Sequence, residues 1–230
     1  TVSGTTSPTL KIITDFCKYP RTWVSPTAEP GRLMLEVNTA SSGINLQRFK
    51  DTMLKDMPYE HLNEDAAQRG LPERNLPGMY AVFLTGMHLD QDLLTGGFVM
   101  SNPISVDTKP EDYFHALTLN IGMSISMCIE KMKTLQPLEH DYLIGCGGGF
   151  SSPVVGQTVA DLTGLKVRIF DNWREATVYG GYVLCCRATG KPVPARRQIA
   201  EIEPKPSQAL ERYYKNWKEM REHFKEFKLK

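Results

Sequence analysis

The chain has 230 residues, with 27 Lys and Arg against 26 Asp and Glu, and 41% apolar and 23% charged residues. That length allows one large domain or two small ones, and the composition excludes general disorder. A formal charge of +1 offers nothing for wrapping nucleic acid or coating an anionic membrane, and the most apolar stretch, 114–129, is interrupted by His115, Asn120 and several Ser and Thr, so no membrane span is expected.

In chain order, residues 1–14 mix β-branched residues with Gly and Ser, which predicts two short strands joined by a turn at 4–8. Residues 32–37 (RLMLEV) predict another strand. A small-residue turn at 38–43 leads into a helix over 44–54, where Ile44, Leu46, Phe49, Met53 and Leu54 share one side. Residues 58–78 are polar and punctuated by Pro and Gly, and read as a surface excursion holding a single helical turn. A buried strand is expected at 80–84. The longest helix, 111–135, opens after Pro110 on Glu111 and Asp112, which suit the positive end of its dipole, and spaces Leu117, Ile121, Ile125, Cys128 and Met132 by three and four. Then come a strand at 141–144, a glycine turn, a helix at 152–163 stopped by Gly164, a strand at 165–170 and a helix at 174–188 ended by Gly190. This alternation is α/β.

Residues 191–206, with Pro192, Pro194, Pro204 and Pro206, read as a semi-extended linker. The last helix, 207–227, places Leu210, Tyr213, Tyr214, Trp217, Met220, Phe224 and Phe227 on one stripe. The expected organisation is therefore a domain over 1–190, a linker over 191–206 and a C-terminal helix over 207–230 packed on the same domain.

The five cysteines, Cys17, Cys128, Cys146, Cys185 and Cys186, contain no C-x-x-C and no zinc spacing, and are expected as reduced, mostly core thiols of a cytoplasmic protein. His61, His115, His140 and His223 form no metal-ligand spacing, and His88, Asp90 and Asp92 read as a solvated acidic turn. The start, Thr1-Val2-Ser3-Gly4, has no Met and no leader pattern, and is expected for a piece of something longer.

The richest local signal is 142–150 (YLIGCGGGF), an apolar strand running into Gly147, Gly148 and Gly149 before a helix. Residues without side chains let a backbone approach a ligand, and N–H groups at a helix start favour phosphate. A dinucleotide fingerprint fails, because the sixth position from Gly145 is Phe150 instead of Gly. A methyl-transfer reading puts the ribose of S-adenosylmethionine on Asp171, at the end of the next strand, but too little chain follows to complete such a sheet.

A third reading uses the whole chain. The run 147–190 has a G-G-G turn, then Gln157, Ala160, Asp161 and Gly164, then Glu175, Ala176, Thr177, Gly180 and Gly181, in matching order and spacing, and it resembles the C-terminal domain of FGGY carbohydrate kinases. Ser3-Gly4-Thr5-Thr6 is similar to that family's S/G-G-T-S/T turn, residues 42–51 (SGINLQRFKD) to its S-G-x-x-x-Q/W-W-L-R-D segment, and 84–98 to its later glycine loop. The resemblance covers essentially all of 1–190.

The resemblance implies a ribonuclease H-like or actin-like ATPase fold, a mixed sheet flanked by helices. It also implies the ATP-binding half of an enzyme that, with Mg²⁺, moves the γ-phosphoryl of ATP to a hydroxyl of a sugar or polyol. Gly4 and Thr5 would face the β- and γ-phosphates, Gly43 and Gln47 the phosphate–ribose side, and Gly147, Gly148, Gly149 and Ser152 the α-phosphate and adenosine. Three departures stand out: Ser152 followed by Pro153 where many members have Asn, Leu119 where the long helix usually carries Glu, and no Pro in the loop after Gly86. The general base and most sugar-binding residues are expected in an N-terminal domain ahead of Thr1. No nucleic acid or membrane partner is implied, and a homo-oligomer stays open. The rival classes are an S-adenosylmethionine-dependent methyltransferase and a non-catalytic domain that kept the kinase fold.

Overall fold

The computed structural model describes residues 1–39, 41–72, 78–83 and 93–227. Strands β1 (Pro8–Ile13), β2 (Trp23–Pro26) and β3 (Leu33–Asn38) form an antiparallel sheet in the order β1-β3-β2. Its alternation buries Thr9 and Ile13 of β1 and Leu35 and Val37 of β3. Helices α1 (Gly43–Met53) and α2 (Tyr59–Arg69) precede an antiparallel pair, β4 (Met79–Val82) and β5 (Gly97–Met100). Helix α3 (Pro110–Leu135) is the spine: sixteen of its 26 residues are buried, because α1, α2, α4 and the strands β1, β3 and β4 all pack against it.

Strand β6 (Tyr142–Gly145), a single 3-10 turn at Gly148–Ser151, α4 (Pro153–Thr163) and β7 (Lys166–Phe170) follow, with β6 and β7 parallel. The right-handed logic of a parallel pair puts α4 back onto the sheet, where Val155 and Val159 meet Val167, Ile121 and Ile125 in one apolar cluster. Helix α5 (Ala176–Ala188), strand β8 (Gln198–Ile202) and helix α6 (Gln208–Glu226) complete the chain. Residues 1–3 run beside the end of β6: Val2 bridges Cys146 in parallel, and the Ser3 N–H donates to the Cys146 carbonyl at 2.8 Å. That strip ties β6 to β1, because the Val2 N–H also donates to the Pro8 carbonyl at 2.9 Å.

Four differences from the sequence reading have physical reasons. The 58–78 segment holds a three-turn helix: Leu62 and Ala66, four apart, bury against the core, and Arg69 pairs with Asp65 and Asp112 of α3. The span read as linker contains β8, held antiparallel to β7 with Arg168 bonded to Glu201 at 2.5 Å and Lys166 to Glu203 at 2.9 Å, a cross-strand pairing that composition does not reveal. Strands β2 and β5 have no counterpart in the sequence reading, and of the two strands expected within 1–14 only β1 forms, residues 1–3 making a single bridge at Val2. Among the thiols, Cys128 and Cys186 are buried but Cys185 is exposed, so the core reading fails there. The positions 84–86, His88, Asp90 and Asp92 lie outside the described residues. Among the described residues no group of side chains could hold a metal ion, and no helix is long and apolar enough to cross a membrane.

The aromatic stripe of α6 is anchored by hydrogen bonds as well as packing. Trp217 Nε1 donates to the Ala81 carbonyl at 2.9 Å and to Asn120 Oδ1 at 3.1 Å, and the Tyr213 hydroxyl to the Met79 carbonyl at 2.7 Å. Satisfying these indole and phenol groups removes the cost of burying them between β4 and α3.

Burial holds the His115 imidazole below its ordinary pKa of 6.5, with Nε2 facing the Gly70 carbonyl at 2.9 Å. A depressed folded-state pKa contributes stability that is present above the unfolded value and lost as pH falls through the folded one. Urea unfolding should therefore show stability declining as pH falls below about 6.5. His115→Gln, which keeps a donor for Gly70, should flatten that decline; an unchanged slope would clear His115 of responsibility.

Candidate functional site

Three bends meet because residues 3–5 bond to both of the others. At the first, the Gly4 N–H reaches the Thr6 carbonyl at 3.0 Å, leaving the Gly4 and Thr5 carbonyls pointing outward from the turn. The N-terminus of α1 uses them: Gly43 N–H donates to Gly4 at 3.1 Å, Ser42 N–H to Thr5 at 3.2 Å and Ile44 N–H to Thr5 at 3.4 Å. A buried hydroxyl pair, Ser7 and Ser42 at 2.5 Å, adds a side-chain tie. On the other side the Gly149 N–H donates to the Ser3 carbonyl at 2.8 Å.

Glycine is required where these backbones touch. A Cβ on Gly43 would stand 2.0 Å from the Gly4 oxygen. Gly147 has φ 91, in the region only glycine occupies freely, and its Cβ would lie 2.5 Å from the Ser3 oxygen. Gly148 differs from both, because a Cβ there meets nothing within 4 Å.

That open side faces a cleft of ≈ 350 Å³ lined by Gly4, Thr5, Gly43, Gln47, Gly148, Gly149 and Ser152. Of the residues that the resemblance assigns to the nucleotide, all line the cleft except Gly147, which stands behind it with its N–H on the Trp173 carbonyl at 2.7 Å. The remaining walls are apolar or aromatic, Leu46, Tyr59, Phe114, Ile121 and Val155, with Asn63, Thr118 and Ser151 as polar members. Thr118 turns its hydroxyl back to the Phe114 carbonyl at 3.0 Å and the His115 carbonyl at 2.8 Å. Volume and lining suit a small molecule with an apolar part and a polar part.

The donors available to such a molecule are fewer than the motif implies. The first N–H groups of α1 are spent on Gly4 and Thr5, so that helix start offers no free amides beside the turn. Among the described residues the Thr5 and Gly148 N–H groups have no protein acceptor. The Ser152 hydroxyl, 3% exposed at the start of α4, is buried without a partner, which costs about 1–3 kcal/mol unless something else satisfies it. No Lys, Arg, Asp, Glu or His of the described residues lines the cleft, so its polarity comes from amides, hydroxyls and the end of the α4 dipole. Burial and nearby Asp51 push the Tyr59 phenol up, keeping it neutral, and Lys50 Nζ sits 5.4 Å over its ring.

Tyr59 and Asn63 were missed by the sequence reading because α2 was missed; the signal was present in Pro58 before an acidic first turn and in the Gly70 stop. Leu119 is fully buried with Tyr213, Trp217 and Met123, away from the cleft. A larger cavity of ≈ 460 Å³ lies elsewhere, beside Arg69, Asp112 and His115. Arg69 and Asp112 there are bonded to one another and His115 to Gly70, so it offers a ligand little that is unpaired.

The model of the FGGY family of carbohydrate kinases, C-terminal domain, matches residues 67–189. The chain belongs to the FGGY family. It is 28% identical over 226 residues to a Bacillus subtilis (strain 168) protein named "Putative sugar kinase YoaC", covering 97% of this chain and 46% of that protein. Its fold, at TM-score 0.75 and 15% identity, is similar to that of a xylulose kinase from Rhodospirillum rubrum, over 96% of this chain and 46% of the other. A Plasmodium falciparum glycerol kinase with ADP gives TM-score 0.72 at 15% identity over 99% of this chain and 47% of the other. This mixed α/β domain is thus of the actin-like ATPase type of FGGY kinases. The chain spans about half the length of the relatives it matches.

Proposed function

We propose that this chain is the ATP-holding half of a sugar or polyol kinase, which transfers the γ-phosphoryl of ATP to a substrate hydroxyl. The observation that carries the reading is the joining of residues 3–5, Gly43 and Gly147–Gly149 around one cleft, with an open approach at Gly148 and an unpartnered buried hydroxyl at Ser152. These features fit a nucleotide. In this reading Thr5 and Gly148 N–H groups hold phosphate oxygens, Gly4 lies along the β- and γ-phosphates, Gly43 and Gln47 along the phosphate–ribose side, and Gly149 and Ser152 beside the α-phosphate and adenosine. Tyr59, Phe114 and Val155 wall the base from water. Ser152 followed by Pro153 gives the base a hydroxyl in place of an amide.

Mg²⁺ is a different matter. The described residues bring no carboxylate to the cleft, so they do not fit a metal held by this chain's own side chains. In the same proposal the general base, the sugar contacts and the closure that excludes water belong to the half of the relatives' length that this chain does not span. Five free cysteines support a reducing, cytoplasmic setting.

Calorimetric titration with ADP and, separately, with S-adenosylmethionine tests the reading. ADP should bind and S-adenosylmethionine should not. At tenfold excess over its dissociation constant, ADP should stabilise the fold by about 1.4 kcal/mol, a rise of a few degrees in Tm. No shift at millimolar ADP would favour a domain that kept the fold without the ligand, and heat with S-adenosylmethionine would favour methyl transfer.

A further inference from the structure

Helices α2 and α4 both wall the candidate cleft, Tyr59 and Asn63 from one, Ser152 at the start of the other and Val155 within it. Ala66 of α2 and Val154 of α4 share one core cluster. The same two helices also line a second cavity of ≈ 280 Å³, with Ala67 and the Gly70 stop on the α2 side and Gln157 and Asp161 on the α4 side. A helix pair with a cavity on either side of its apolar contact has few close-packed neighbours to hold its spacing, so something else has to fix it. Residues 203–207, between β8 and α6, bond to both sides. On α4, Asp161 Oδ1 accepts the Lys205 N–H at 2.6 Å. Gln157 Nε2 donates to the Glu203 carbonyl at 2.9 Å and to Asp161 Oδ1 at 2.7 Å. At the other end, the Ser207 hydroxyl donates to the carbonyl of Pro72, two residues past the end of α2, at 2.7 Å. It also accepts the Leu210 N–H at 3.4 Å as the N-cap of α6. Asp161 is only 8% exposed, and burying a carboxyl is tolerated where such bonds satisfy it. Gln157 and Asp161 stand in the motif run of the sequence, yet neither lines the cleft.

We propose that Gln157, Asp161 and Ser207 are positioning residues for the nucleotide: through residues 203–207 they form a strut that fixes the spacing of α2 and α4, and with it the width of the cleft. None of the three lines the cleft, so their effect on a ligand is carried by the two helices that do. The ligand in this proposal rests on the nucleotide reading; the strut itself does not. Its bonds act in series. Asp161 at one end and Ser207 at the other transmit one constraint, and cutting either end releases it.

The test is calorimetric titration of variants of the 230-residue chain with ADP, alongside amide hydrogen exchange without nucleotide. Ser207→Asp keeps an acceptor for the α6 cap and removes the donor to Pro72, while Asp161→Ala cuts the other end. Each should weaken ADP binding about tenfold. The double variant should lose no more than about tenfold either, because two cuts in one series link count once. Ser207→Thr keeps the hydroxyl and Asp161→Asn keeps an acceptor oxygen, so both should bind ADP as the parent does. In the nucleotide-free chain, amides of α2 should exchange about tenfold faster in Ser207→Asp, with those of α6 unchanged. Losses that multiply to about a hundredfold in the double variant would mean two independent defects and overturn the proposal. Parental ADP affinity in Ser207→Asp, or unchanged exchange in its α2, would overturn it too. Should Asp161→Ala fail to fold, Ser207→Asp decides by itself. A parent chain that binds no ADP would sink the nucleotide reading, and the exchange of α2 would then uphold or overturn the strut.

Discussion

Gly148→Val should abolish nucleotide binding and leave the fold intact. The position lines the cleft, has no left-handed φ to forbid a side chain, and a Cβ there touches nothing within 4 Å. Valine is therefore accommodated by the protein and not by the ligand. Its branched side chain stands beside the one glycine amide of the turn without a protein acceptor, in a cavity of only ≈ 350 Å³. A fall of at least about 100-fold in ADP affinity, about 2.7 kcal/mol, is expected by calorimetry. The Tm without ligand should stay within about 2 °C of the parent, as for other substitutions into open space. Binding that survives undiminished would remove the glycine turn from the site.

Gly43→Ala should do the reverse, striking the fold first. By helix propensity alone, alanine in the first turn of α1 would gain up to about 1 kcal/mol. The tertiary contact has the opposite sign. The new Cβ would lie 2.0 Å from the Gly4 oxygen and 2.9 Å from the Gly4 carbonyl carbon, both backbone atoms that no rotamer change can move aside. Relief requires α1 to separate from residues 3–5, at the expense of the three amide bonds from Ser42, Gly43 and Ile44. Overpacking and lost hydrogen bonds together should cost about 3–5 kcal/mol, lowering Tm by roughly 10 °C, with ADP affinity falling because the turn carrying Thr5 is displaced. An unchanged or raised Tm in thermal unfolding would mean that the two bends do not meet as described.

The contrast between these two glycines shows where sequence reading stops. Both stand in recognisable motifs, and both were legible as places where a backbone comes close to something. That the something is Gly4 for Gly43, and open cleft for Gly148, depends on packing. The long helix was legible for the same reason that α4 and β7 were: apolar spacing, an acidic start and a glycine stop are local signals. Helix α2 was not, because only Leu62 and Ala66 of its eleven residues are buried, so its periodicity is almost silent. Strand β8 is exposed along most of its length and owes its conformation to the β7 ladder and to the Arg168–Glu201 pair, partners that lie about thirty residues away. With α2 unseen, Tyr59 and Asn63 of the cleft wall went unseen as well.

By itself, the sequence determined the α/β alternation, the family resemblance and the identity of the small residues at each bend, because these follow from side-chain type and spacing along the chain. Only the tertiary structure decided that residues 3–5 are the piece to which both other bends attach and that the start of α1 spends its amides on that piece. The physical reason is that the joining is done by backbone N–H and C=O groups. Every residue but proline carries the same pair, so no letter in the sequence marks which carbonyl will accept which amide.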